Sequence, residues 1–153
     1  MYKRQILDSG IYGSSHLCKK ALKEIKAGVK FFLNYARLDT GQSLVFQNGH
    51  CLGLETITGT DEMIRAVINF RERNNKRSKE ILSGGILIKG SKPDQVLDID
   101  TPVIGPDTIK LAKNAKLNGL VIESNKVILV NRDLIIDKLQ CYNMFLASIK
   151  FFR

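Results

Sequence analysis

A chain of 153 residues, 44% hydrophobic and 25% charged, has the composition of one ordinary globular domain, which excludes a disordered polymer. No apolar run approaches the roughly 18 residues that span a bilayer, and the basic start Met1–Asp8 lacks the hydrophobic core of an export signal. The net charge of +9 suits an anionic partner, whether nucleic acid, a membrane surface or a phosphorylated substrate, while three scattered cysteines and two histidines exclude a disulfide framework and a zinc site and fit a reducing cytoplasm.

Residues 1–15 show no period and contain Gly10 and Gly13, so they read as a lead-in to a single domain over 16–153. Ser14 or Ser15 caps a helix in which Leu17, Ala21, Leu22, Ile25, Val29, Phe32, Leu33 and Ala36 recur at helical spacing. Lys19, Lys20, Lys23, Lys26 and Lys30 fall mostly between them, and this basic face reads first as solubility and second as a membrane contact. Asn48-Gly49 between apolar segments predicts a two-residue type I′ hairpin, because both positions need positive φ. His50 follows as an exposed strand residue.

A second helix places Met63, Ile64, Val67 and Ile68 on one face, with Thr58 or Thr60 as its cap. The charge run Arg71–Glu80 reads as a solvated helix end and loop, and its lack of interleaved aromatics argues against a single-stranded nucleic-acid site. Gly84–Ile88 reads as a buried strand. Pro106–Lys116 forms a third helix with a stripe of Lys110, Lys113 and Lys116. Leu120–Glu123 and Lys126–Val130 predict a second hairpin around Ser124-Asn125; Asn131 caps a short helix over 132–140, and Phe145–Ile149 is a last strand. The expected fold class is α/β or mixed α+β, a layered sheet with partly antiparallel strands and about four helices.

No P-loop, dinucleotide fingerprint, serine-hydrolase elbow or H-E-x-x-H motif occurs, and His16 near a helix start reads as bland. Chemistry therefore rests on Asp, Glu, Lys and Thr, a profile suited to metal-assisted phosphoryl chemistry. The stretch from Lys89 to Thr108 concentrates it, with Lys89, Lys92, Asp94, Asp98 and Asp100 on a loop stiffened by Pro93 and Pro102. Such a loop holds phosphate and a divalent metal, or else it is only a solvated connection. Asp61 is likewise open to two readings: a partner of its helix dipole, or a carboxylate that meets phosphate through a metal.

Three blocks in register, Leu38-Asp-Thr-Gly-Gln42, Glu55-Thr-Ile-Thr-Gly-Thr-Asp61 and Lys89 through Thr108 with its Asp-x-Pro-x-Ile-Gly-Pro-x-Thr pattern, resemble the carboxy-terminal domain of the LpxI-type UDP-2,3-diacylglucosamine pyrophosphatases. The resemblance runs from about Ser14 to Ile149. It implies Mg²⁺-assisted hydrolysis of UDP-2,3-diacylglucosamine to UMP and 2,3-diacylglucosamine 1-phosphate (lipid X). The critical aspartate of that family falls at Asp100, with Asp61 as second catalytic carboxylate and fellow metal ligand. Lys89, Lys92, Thr60, Gly59, Gln42, Gly105 and Thr108 become the substrate-binding positions.

The family has two domains and this sequence matches the second, so it reads as an excised domain, as half of a split protein whose amino-terminal half is a separate polypeptide, or as a remnant; the resemblance also implies a cytoplasmic location with peripheral contact to an anionic membrane face, and no nucleic acid. A non-catalytic, anion-binding module is the alternative. Asp94 stands where a glycine is expected, and the connection from Arg71 to Ser83 is longer than the pattern.

Overall fold

The computed structural model describes residues 5–14, 17–76, 79–92 and 101–152. A six-stranded mixed sheet runs β1-β8-β6-β4-β2-β3. Its three central strands, β4 (Ile86–Lys89), β6 (Gly119–Glu123) and β8 (Phe145–Ile149), are parallel. The hairpin β2 (Ser43–Gln47) and β3 (His50–Leu54) flanks them on one side, antiparallel to β4, and β1 (Gly10–Gly13) pairs antiparallel with β8 on the other. The fold is thus mixed α+β and layered, as the pattern of elements predicts.

Alternation along the strands divides the core in two. Leu44, Phe46, Ile86, Ile88 and Ala147 pack on one face beneath α1 (Lys19–Ala36), whose Ile25, Phe32 and Tyr35 cover them. Gly28 permits the close approach of that helix, since a Cβ there would lie 2.5 Å from Ile88 Cδ1. Val45, Leu87, Leu120, Ile122 and Leu146 face the other way. They are covered by α2 (Thr60–Arg73), α4 (Pro106–Asn114) and α5 (Arg132–Cys141); the one-turn α3 (Lys79–Leu82) leads into β4. Among the described residues no helix is long and apolar enough to cross a membrane.

The Asn48-Gly49 turn takes positive φ at both positions, as a type I′ hairpin requires. Four local expectations fail. Part of the segment read as a lead-in is an edge strand: β1 lies in register with Phe145–Ser148. The helix caps are shifted, for Cys18 Sγ accepts from Ala21 N at α1, and Gly59 rather than a threonine precedes α2.

The hairpin expected around Ser124-Asn125 does not form. β6 is buried along its length between two parallel neighbours, and after the turn β7 (Ile128–Leu129) pairs in parallel with β5 (Val103–Ile104) in a separate ribbon. A run buried on both faces is typical of a central parallel strand. Finally, Arg71 is not solvated. It is 4% exposed, and its guanidinium donates to Ala115 O, to Gln47 Oε1 at 2.5 Å and to Gly84 O at 2.8 Å. These bonds join α2 to the end of β2, the approach to β4 and the carboxyl end of α4. Burial lowers the Arg71 pKa.

Candidate functional site

The parallel strands deliver their carboxyl ends, Lys89, Glu123 and Ile149, to one end of the sheet, where β2 begins at Ser43 opposite Lys89. Ligands gather at such ends in open α/β sheets. Ser43 and Lys89 each follow an apolar alternation that turns their side chains toward the α2 and α4 face. Glu55, just past β3, is anchored there by its own N–H, which donates to Ser43 O at 2.9 Å, and by Tyr35 OH, which donates to its carbonyl. Desolvation on burial, with the Glu55 carboxylate a smaller cause, raises the Tyr35 pKa, while a hydrogen bond with Thr40 opposes the rise.

One connected polar group results. Glu55 Oε2 accepts from Ser43 Oγ and from Thr60 Oγ1, the latter at 2.8 Å. Lys89 Nζ donates to Thr60 Oγ1 at 2.5 Å and lies 3.8 Å from Glu55 Oε2. The Lys89 and Glu55 side chains are only 7% and 13% exposed, so the pair is shielded from bulk salt. Next along α2, Asp61 Oδ1 accepts from Thr108 Oγ1 of α4 at 2.9 Å, which locks the first turns of the two helices together. Neither helix has a side-chain cap: Gly59 at φ +88° precedes α2 and Gly105 precedes α4. Their leading amides are therefore donors at the same joint.

The predicted positions are distributed around this joint. Lys89 and Thr60 touch, Asp61 and Thr108 touch, and Gly59 and Gly105 stand at the two helix starts. Gln42 contributes its carbonyl to Gly90 N at 3.0 Å, tying the entry of β2 to the exit of β4. Lys92 pairs with Asp39 at 2.8 Å on the surface beyond the end of α1. Asp100, with Asp94, Asp98 and Pro93 of the same loop and His16 elsewhere, lies outside the described residues.

Two participants escaped the sequence reading. Glu55 heads the Glu55–Asp61 block, but its lysine is 34 positions away in sequence and reaches it only through the sheet. Glu123 ends the segment that the sequence pattern presents as a hairpin arm. It is buried on the α1 side of the sheet and accepts from Ser91 N and Ser91 Oγ, both at 2.9 Å, so it pins the start of the Lys89–Thr108 loop. An acidic residue closing an otherwise apolar strand was the available signal.

Among the described residues no three His, Cys, Asp or Glu side chains converge on a metal position. The donor chemistry nonetheless fits Mg²⁺, which takes one or two carboxylates and leaves its other positions to phosphate oxygens and water. Asp61 offers a carboxylate at the joint while Glu55 is already engaged with Lys89, Ser43 and Thr60.

Residues 8–147 match the family described as the LpxI C-terminal domain. The chain is also 31% identical over 143 residues to the UDP-2,3-diacylglucosamine pyrophosphatase LpxI of Caulobacter vibrioides, covering 94% of this chain and 50% of that protein. It thus spans about half the length of the curated relative it matches. With the match extending from before β1 into β8, the chain belongs to the LpxI C-terminal domain family.

Proposed function

We propose that this chain carries the catalytic half of a pyrophosphatase that hydrolyses UDP-2,3-diacylglucosamine to UMP and 2,3-diacylglucosamine 1-phosphate, working together with the half of its relative that it does not span. The observation that carries the reading is the joint where the uncapped starts of α2 and α4 meet through Asp61 and Thr108, beside the Lys89–Thr60–Glu55 group. Helix amides favour phosphate, and a carboxylate among them repels it unless a cation intervenes. Asp61, with Asp100, would hold Mg²⁺; when bound, the ion supplies charge neutralisation and polarises the diphosphate oxygens.

The residues of the chain do the rest. The leading amides of α2 and those of Asp107 and Thr108 in α4, Pro106 having no N–H, orient the diphosphate oxygens. Lys89, fixed by Glu55 and Thr60, contributes positive potential from a nearly buried position without moving at the moment of reaction. Water adds to one phosphorus, the bridging P–O bond breaks, and a carboxylate at the joint takes the proton from the attacking water. The reaction belongs at a membrane surface, because the substrate and the lipid product carry acyl chains.

The test is release of UMP from UDP-2,3-diacylglucosamine by this chain, with and without the amino-terminal half in trans, in Mg²⁺ and in EDTA. Hydrolysis that needs Mg²⁺ supports the reading. Absence of hydrolysis with both halves present, while UMP still binds, leaves the non-catalytic anion-binding module instead.

A further inference from the structure

Glu123 closes β6 on the face of the sheet opposite the joint, and it is 4% exposed. Its neighbours on that face are apolar: Val121 two positions earlier, and Phe32 and Phe151, whose rings meet edge-on 5.5 Å apart beside Gly90. A carboxylate is costly to bury there, and an apolar side chain of similar size would suit the position better if packing were its whole task. Its Oε2 atom accepts from Ser91 N and Ser91 Oγ, both at 2.9 Å, and Ser91 is itself 1% exposed. Between Ser91 and Lys89 the chain has little room to shift. A Cβ on Gly90 would lie 2.8 Å from Phe151 Cε2 and 3.0 Å from both Glu123 Oε2 and Phe32 Cε1, and Gly90 N donates to Gln42 O at 3.0 Å. The backbone leaving β4 is thus held from the α1 side, directly behind the residue whose ammonium reaches the joint.

We infer that Glu123 is a positioning residue for the hydrolysis: through Ser91 it fixes the exit of β4, and so the placement of Lys89 at the joint. Two carboxylates serve Lys89 from opposite faces of the sheet. Glu55, with Thr60, holds its ammonium on the α2 side, whereas Glu123 holds its backbone from the α1 side. A small displacement is enough to matter, since misplacing a group by about 1 Å costs on the order of 10²-fold in rate. Lys126, whose Nζ stands 3.6 Å from Glu123 Oε1, is 38% exposed and lies at the rim of the arrangement. The inference rests on the proposed hydrolysis for its kinetic consequence, while the placement of Lys89 can be read without turnover.

Two measurements on wild type, Glu123→Met, Glu123→Gln and Lys126→Ala test it. One is UMP release from UDP-2,3-diacylglucosamine with both halves and Mg²⁺; the other is acylation of the Lys89 amine by acetic anhydride, read by mass spectrometry. Glu123→Met should lower kcat at least tenfold with KM within twofold, because Lys89 acts on charge that develops in the reaction. Glu123→Gln keeps the shape and an oxygen acceptor, so it should lose only about threefold, and it carries the test if the Met variant does not fold. Acylation of the nearly buried Lys89 should rise at least threefold in Glu123→Met and less in Glu123→Gln. Alkylation of Cys51, half-buried against the same core, should stay at the wild-type rate, and Lys126→Ala should stay within twofold of wild type in every measurement. The inference is overturned by wild-type kcat in the Glu123 variants, by Lys89 acylation at the wild-type rate, or by Lys126→Ala losses equal to those of Glu123→Gln. A joint rise at Lys89 and Cys51 also overturns it, since that reports general loosening. If the wild type itself releases no UMP, the hydrolytic reading fails, and Lys89 acylation alone decides whether Glu123 places Lys89.

Discussion

Replacing Glu55 by Gln removes the charge that faces Lys89 while keeping the shape of the side chain. At 3.8 Å and an effective dielectric of about 20, the attraction is ~4 kcal/mol, much of it offset by the desolvation of two nearly buried ions. The substitution also weakens the acceptor for Ser43 and Thr60. A loss of ~2 kcal/mol in unfolding free energy is expected from Glu55→Gln, and a similar loss from Lys89→Met, because each leaves an ion without its buried opposite. The double variant should lose less than the two losses combined, giving a coupling of at least ~1 kcal/mol in a urea-denaturation cycle. Hydrolysis should fall in all three variants, including the double one in which much of the stability returns. A coupling below ~0.3 kcal/mol would refute a shielded, mutually dependent pair, and unchanged hydrolysis in the double variant would refute its part in the site.

Arg71→Met, which leaves the buried acceptors at Gln47, Gly84 and Ala115 without their donor, should cost ~3 kcal/mol in urea unfolding; a loss under ~1 kcal/mol would restore the solvated reading of that residue. Thr108→Val, which frees Asp61, should lower turnover about tenfold with a stability loss of ~1 kcal/mol or less, as kinetics and thermal melts on one preparation will show. Burial raises the Cys51 thiol above its ordinary 9.0, with the bond to Gly53 a smaller opposing effect, and desolvation raises Tyr35 above 10.0. The unfolded chain releases these protons first, so both contributions to stability are full below pH 9 and decline as pH rises through 9 and 10. Denaturation between pH 8 and 11 checks this, and Cys51→Ala should remove the earlier part of the decline.

Local signals carried much of the fold. Asn48-Gly49 determines its hairpin because few residue pairs accept two positive φ values, and most of the apolar positions read in α1 and α2 reappear on the faces those helices bury, Leu22 being the exposed exception. The β6–β7 segment misled because Leu120-Val-Ile122 reads alike as a hairpin arm or a central parallel strand, and its neighbours, β4 and β8, are distant in sequence. Arg71 misled because a charge within a charged run is normally solvated, whereas its acceptors come from three remote segments. At the site, residue chemistry in the three blocks picked out Lys89, Thr60, Asp61 and Thr108, which the fold brings into contact. Glu55 became recognisable only once antiparallel pairing set Ser43 opposite Lys89.

The central proposal to test is that Asp100 is a catalytic carboxylate of the hydrolysis. UMP release by wild type and Asp100→Ala, each with Mg²⁺ and the amino-terminal half in trans, tests it most directly. The account predicts a loss of ~10²-fold or more in turnover. Stability measured on the same preparations should stay within ~0.5 kcal/mol, as expected for a loop carboxylate. Equal turnover by the two proteins would contradict it and remove Asp100 from the mechanism.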